Sequence, residues 1–168
     1  MMKRLFIFLL MASSCLAANH YYTVTGGTHD VAMVEPNWAA AGNALEFFED
    51  LVADANLADG DTAYVAGNGT YTAGAAYDGS AHNGITTAPI FVVGVKTGTS
   101  AQPPTTADWA FGAARPTIAD GGNQLYLGDY WKLCNLIYTG SATNGLRVDS
   151  EGTYYNCKAT NTASGSKY

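Results

Sequence analysis

From Asn123 onward the sequence matches itself at an offset of 21 residues. Asn123 falls on Asn144, Leu125 on Leu146, Leu127 on Val148, Leu133 on Tyr154, Asn135 on Asn156, Leu136 on Cys157 and Thr139 on Thr160. A fixed period of about 20 residues is the signature of a solenoid. A leucine-rich repeat has a similar period, but its fixed leucine spacing is absent here. Within each unit an apolar pair, Leu125 and Leu127, then Leu146 and Val148, brackets one residue, Tyr126 or Arg147. That is the in-out-in alternation of a strand with one buried face. The pattern predicts coils of two or three short strands whose backbone hydrogen bonds run to the coils above and below, with like residues stacked about 4.8 Å apart. Asn135 over Asn156 then falls at a bend, because asparagine tolerates the left-handed conformation a bend needs, and stacked amides bond along the axis.

The preceding residues carry the same texture. Tyr21 to Thr25 is a β-rich run ended by Gly26-Gly27. Short strands follow at Asp59 to Val65, Gly67 to Tyr71, Ala88 to Gly94 and Arg115 to Gly122, each punctuated by Gly or Pro. Gly98 to Asp108 is polar, carries Pro103-Pro104 and predicts a projecting loop. One helix is expected. Ala44, Phe47, Phe48, Leu51, Val52 and Ala55 recur at the spacing of a helical face, and Asn43 with Glu46 has the form of a capping pair. A solenoid exposes strand edges and core at its first coil, so this helix is assigned as the cap.

The first residues are not expected to join the fold. Lys3-Arg4, the apolar run Leu5 to Met11 and the small residues Ala12 to Ala17 have the order of a secretory signal. Ala12-Ser13-Ser14-Cys15 also resembles a lipobox, though without the usual branched aliphatic residue. No later segment approaches the roughly 20 apolar residues of a membrane helix, so no transmembrane segment is expected. Loss of Lys3 and Arg4 would leave six basic against fourteen acidic side chains and move the formal charge from -6 to -8. No basic cluster survives, which argues against nucleic acid as a partner. Of the cysteines only Cys134 and Cys157 would remain, with Cys157 pointing inward in the repeat register and a bridge between them left open. The expected organisation is a signal peptide over 1–17, an N-terminal strand and capping helix over 18–60, and the first coils over 61–168. The chain stops just after one full repeat, without a second helix or a divergent last coil, which reads as a fragment.

These residues resemble the pectate-lyase-like superfamily of right-handed parallel β-helix proteins. The resemblance is carried by the helix leading into Gly60-Asp61-Thr62-Ala63-Tyr64-Val65 and Gly69-Thr70-Tyr71, by Pro89-Ile90 to Gly94, and by Trp131 to Leu136. It implies an all-β right-handed parallel β-helix with an N-terminal capping helix, secreted or held at the cell surface. It says little of activity, since the architecture hosts lyases, hydrolases, esterases, epimerases, phage tailspikes and adhesins. An extended solenoid face suits a polymer, so the expected partner is a polysaccharide. The leading expectation is a lyase or glycosidase acting on acidic glycans, with its groove largely on later coils. The competing one is a non-enzymatic adhesin or carbohydrate-binding stalk.

Lyases of the superfamily pair a basic residue with carboxylates that hold calcium against an acidic sugar, since Ca2+ takes six to eight oxygens. The candidates are Asp129, Asp149 and Glu151 at neighbouring strand ends for the metal, and Tyr126 with Arg147 for the sugar. The plain alternative for the carboxylates is solvated turns. Tyr138 and Tyr155 are further candidates for exposed rings. His20, His29 and His82 show no metal spacing and suit surface or capping positions. There is no Gly-x-Ser-x-Gly, no phosphate-binding glycine loop and no Cys-x-x-Cys, so serine, nucleotide and zinc chemistries have no support.

Overall fold

The computed structural model describes residues 17–23, 45–46, 57–67, 69–79, 82–96, 99, 103–140, 146–148 and 151–161. These form short strands: β1 (Asn19–Thr23), β2 (Leu45–Glu46), β3 (Thr62–Gly67), β4 (Thr70–Thr72), β5 (Tyr77–Gly79), β6 (Ile90–Lys96), β7 (Thr117–Ala119), β8 (Leu125–Leu127), β9 (Trp131–Cys134), β10 (Ile137–Gly140), β11 (Leu146–Val148), β12 (Thr153–Tyr155) and β13 (Lys158–Asn161). They make three sheets: A in the order β12-β9-β6-β3-β1-β2, B in the order β13-β10-β7-β4, and C in the order β11-β8-β5. Every strand pairing is parallel. From β3 on, the chain visits A, B and C in turn, and each strand bonds to the strand reached one circuit later.

The register repeats the sequence offset. Leu125 pairs with Leu146, Leu133 with Tyr154 and Thr139 with Thr160. Earlier circuits are longer. Thr62 pairs with Phe91, 29 positions on, and Ile90 with Trp131, 41 positions on, because residues between strands widen the circuit. The corners confirm the asparagine expectation: Asn135 (φ 56°) and Asn156 (φ 50°) are left-handed, and Asn156 Nδ2 donates to Asn135 Oδ1 at 2.7 Å. A second stacked pair, Tyr130 (φ 57°) and Glu151 (φ 58°), turns the chain between sheets C and A at the same offset. Beneath Asn135 the partner position in β6 is Gly94, where an added Cβ would strike the Asn135 carbonyl oxygen. The ladder therefore stops there, and Asn135 Nδ2, in a fully buried residue, finds no acceptor.

Inward residues of the three sheets share one core. It includes Tyr22, Val65 and Val92 from sheet A, Tyr71, Ile118 and Tyr138 from sheet B, and Leu125, Leu127 and Leu146 from sheet C. Trp131 is its largest member, and its indole N–H donates to the His82 carbonyl at 2.6 Å. Cys157 packs on this core, as its register requires. Cys134 packs on a second cluster on the outer face of sheet A, and both thiols are free. That second cluster, with Tyr21, Ala66, Val93 and Val95, explains why β6 lacks clean alternation: both its faces are covered.

Three expectations are corrected. The helix over 44–55 does not begin as one: Leu45–Glu46 form β2, parallel to β1, since an extended segment satisfies the edge groups of β1 that a helix would leave open. Ala44 and residues 47–55 lie outside the described residues, as do residues 1–16, over which a signal peptide is expected, and no α-helix occurs among the described ones. Of the loop expected over Gly98 to Asp108, the described residues 103–108 fold back rather than projecting. Lys96 Nζ donates to the Ala107 carbonyl at 2.6 Å, and the Ala110 N–H to the Gly94 carbonyl at 3.0 Å. Thr105 donates to Asp108 Oδ2 from its backbone N and its hydroxyl, which holds the Asp108 carboxyl below its usual range. Tyr138 is buried, its hydroxyl donating to buried Asp120 at 2.8 Å.

The corner geometry yields a stability prediction. Asn135→Ala loses one amide bond and keeps a left-handed corner that alanine disfavours, and is expected to cost about 2 kcal/mol. Asn135→Gly removes only the side-chain contribution and is expected to cost about half as much. Equal melting temperatures for the two variants would contradict this.

Candidate functional site

Sheet C carries the outward residues that the sequence singled out. The period-two pleat that sends Leu125, Leu127 and Leu146 inward must send the residue between each pair outward. Register then stacks Asp78 of β5, Tyr126 of β8 and Arg147 of β11 in one column across three circuits. The Arg147 guanidinium carbon stands 4.9 Å from the Tyr126 ring centroid, within cation–π range. Tyr126 is half-buried, while Asp78 and Arg147 are exposed. The column borders a shallow groove of about 320 Å³ completed by Ala76, Tyr77 and Gln124. Its chemistry is that of recognition: a planar cation for carboxylate or sulfate, an aromatic edge for an apolar ring face, and a carboxylate for hydroxyl donors.

A second cleft lies on the outer face of sheet A, beneath the folded-back loop. It measures about 460 Å³ and is lined by Thr62, Tyr64, Phe91, Val93, Trp109 and Cys134, with Pro104 to Thr106 as its loop wall. Tyr64 stacks on Tyr21 at 5.9 Å between centroids and 20° between planes, and Lys132 Nζ stands 5.9 Å from the Phe91 centroid. Partial burial raises the Tyr64 phenol above its ordinary range. Burial, helped by the neighbouring Cys157, pushes the Cys134 thiol up to about 11, and Lys132 opposes this only weakly.

The structure thus brings Tyr126 and Arg147 together. Of the candidate carboxylates, Asp129 and Glu151 are among the described residues. Asp129 sits half-buried in the turn after β8, its backbone N–H donating to Asn83 Oδ1 at 2.7 Å and its carbonyl accepting from Gly84 at 2.9 Å. Glu151 is exposed at a left-handed corner, and Asp149 lies outside the described residues. Among the described residues no three His, Cys, Asp or Glu side chains converge where a cation could sit.

Of the tyrosines, Tyr155 is exposed as expected, and so is Tyr154. Of the surface or capping positions expected for His20, the surface one is excluded: it is buried, with Nε2 2.9 Å from Asp61 Oδ2. His82 is half-buried and His29 lies outside the described residues. Sequence reasoning missed Asp78, Tyr64, Phe91 and Trp109 as site residues. Tyr77-Asp78-Gly79 has too little alternation to mark a face, and Trp109 faces sheet A only because the loop folds back.

Comparison with protein-family models, with curated proteins and with solved structures returns no match for this chain.

The thiol environment gives a measurable consequence. With its pKa raised, Cys134 holds almost no thiolate at pH 8, so iodoacetamide labelling of the native protein is expected to be at least ten-fold slower at Cys134 than in the unfolded chain. Site-resolved mass spectrometry reads both rates, and equal rates would show that the thiol is not shielded.

Proposed function

We propose that this protein is exported, that its circuits are those of a right-handed parallel β-helix resembling the pectate-lyase-like proteins, and that it binds an acidic polysaccharide along the outer face of sheet C. The observation that carries the proposal is the column Asp78–Tyr126–Arg147, three outward polar or aromatic side chains in register on successive circuits. A polymer of repeating sugars meets equivalent positions along such a face, and a guanidinium stacked on a tyrosine is held ready for a uronate carboxylate or a sulfate. The cyclic visiting of three parallel sheets and the left-handed asparagine corners support the β-helix assignment. The reaction class in view is that of a lyase or glycosidase acting on the bound glycan.

A non-enzymatic carbohydrate-binding stalk is the second reading. It is favoured by the cleft on sheet A, where three aromatic rings and three threonines form a lining suited to holding a sugar rather than to acid–base chemistry.

The test is affinity electrophoresis through gels containing polygalacturonate, alginate or a neutral glucan, with EDTA throughout. Retardation by the acidic polymers alone is expected, with Arg147→Ala weakening it roughly ten-fold, about 1.4 kcal/mol. Equal retardation by the neutral glucan, or none by any polymer, would refute the proposal. Release of shortened chains in a parallel incubation would select the enzyme reading, and intact polymer the stalk. Trp109→Ala is expected to leave retardation unchanged if sheet C is the binding face.

A further inference from the structure

Asp61 is a buried carboxylate with an unusual set of donors. Its side chain is 2% exposed and receives the Ala58 N–H on Oδ2 at 2.8 Å, His20 Nε2 on Oδ2 at 2.9 Å and the Ala18 backbone nitrogen on Oδ1 at 2.6 Å. The Ala18 contact spans 43 positions and is not part of a strand ladder. The neighbouring backbone holds it in place: the Thr62 N–H donates to the Ala18 carbonyl at 2.9 Å, and β1 runs on from there in register with β3. Ala17 and Ala18 are both exposed, whereas His20 to Tyr22 are buried. The boundary between open chain and packed strand therefore falls at the nitrogen that Asp61 holds.

The sequence gives that nitrogen a second meaning. Cys15-Leu16-Ala17 ends the small-residue stretch after the apolar run, with small side chains one and three positions before the Ala17–Ala18 bond, the pattern a leader peptidase recognises. We propose that the leader is cut between Ala17 and Ala18, and that the new α-ammonium of Ala18 becomes the charged partner of Asp61, making the Asp61–His20 pair a receptor for the processed N-terminus. This rests on the exported reading above. Water adds across the bond: the C–N bond breaks, Ala17 leaves as a carboxylate, and the Ala18 nitrogen takes a proton to become an ammonium.

Before cutting, the nitrogen is an amide with one N–H to offer a buried anion. After cutting it carries three N–H groups and a unit positive charge at the same place. A buried carboxylate is costly until a counter-charge offsets its lost hydration. Processing supplies that charge beside the His20 contact. Cleavage would thus do more than free the chain for export: it would pin β1, and with it the start of sheet A.

The full-length gene is to be expressed in a secreting bacterial host, and the exported product is to be sequenced from its N-terminus and treated with a limiting acylating reagent at pH 7. The product is expected to begin at Ala18. Its α-amine is expected to acylate at least ten-fold more slowly in the native protein than in urea, and Asp61→Asn is expected to bring the native rate to within about two-fold of the unfolded one. A product starting elsewhere, such as a lipid-bearing Cys15, would overturn the cleavage site. A product starting at Ala18 whose amine reacts equally fast native and unfolded would overturn the ion pair while leaving export intact. The wild-type comparison decides the matter even if Asp61→Asn does not accumulate.

Discussion

Among the described residues the strands have no hairpin partners. Each one satisfies its backbone N–H and C=O groups on the strand of the same sheet one circuit away, in parallel register. Because buried backbone groups must be paired, a circuit that slips by one residue would orphan its ladder and turn its side chains to the wrong face. The remaining features follow from that constraint. Inward residues align into one core shared by three sheets, outward residues align into columns, and corners recur at fixed places.

The corners show how the constraint is met chemically. A chain that must turn from one sheet to the next within one or two residues needs left-handed backbone, which side chains resist. Asn135 and Asn156 meet the need with an amide that also bonds along the stack. Tyr130 and Glu151 meet it without such a bond, on the strength of the ladders around them. Other buried polar groups tie separate parts of the chain together: Asp61 joins the first strand to the start of the circuits, Asp120 receives Tyr138 from the next circuit, and the His82 carbonyl holds the Trp131 indole.

Sheet A differs from its neighbours because it is covered twice. The core packs on one face, and the segment leading to Trp109 packs on the other, turning an outer sheet surface into an aromatic cleft. Sheet C keeps its outer face open, so Asp78, Tyr126 and Arg147 stand in a row that solvent, or an extended ligand, can reach. The two faces are suited to different tasks for that reason.

The sequence by itself determined the repeating circuits. The 21-residue offset, the Leu-x-Leu alternation and the paired asparagines carry the register, since a period of two and a need for left-handed corners are local properties of the chain. The pairing of Tyr126 with Arg147 was legible for the same reason. The placements of Asp78, Trp109, Tyr138 and His20 were not. Asp78 joins the column through a pairing 48 positions long, Trp109 reaches sheet A through a loop that turns back, and Tyr138 and His20 are buried with their polar atoms on carboxylates distant in sequence. The helical periodicity from Ala44 also gave way at Leu45–Glu46, where the open edge of β1 recruited an extended segment. Periodicity reports what each segment can bury. Which partner it meets depends on where the insertions between strands return the chain, and only the tertiary structure decides that.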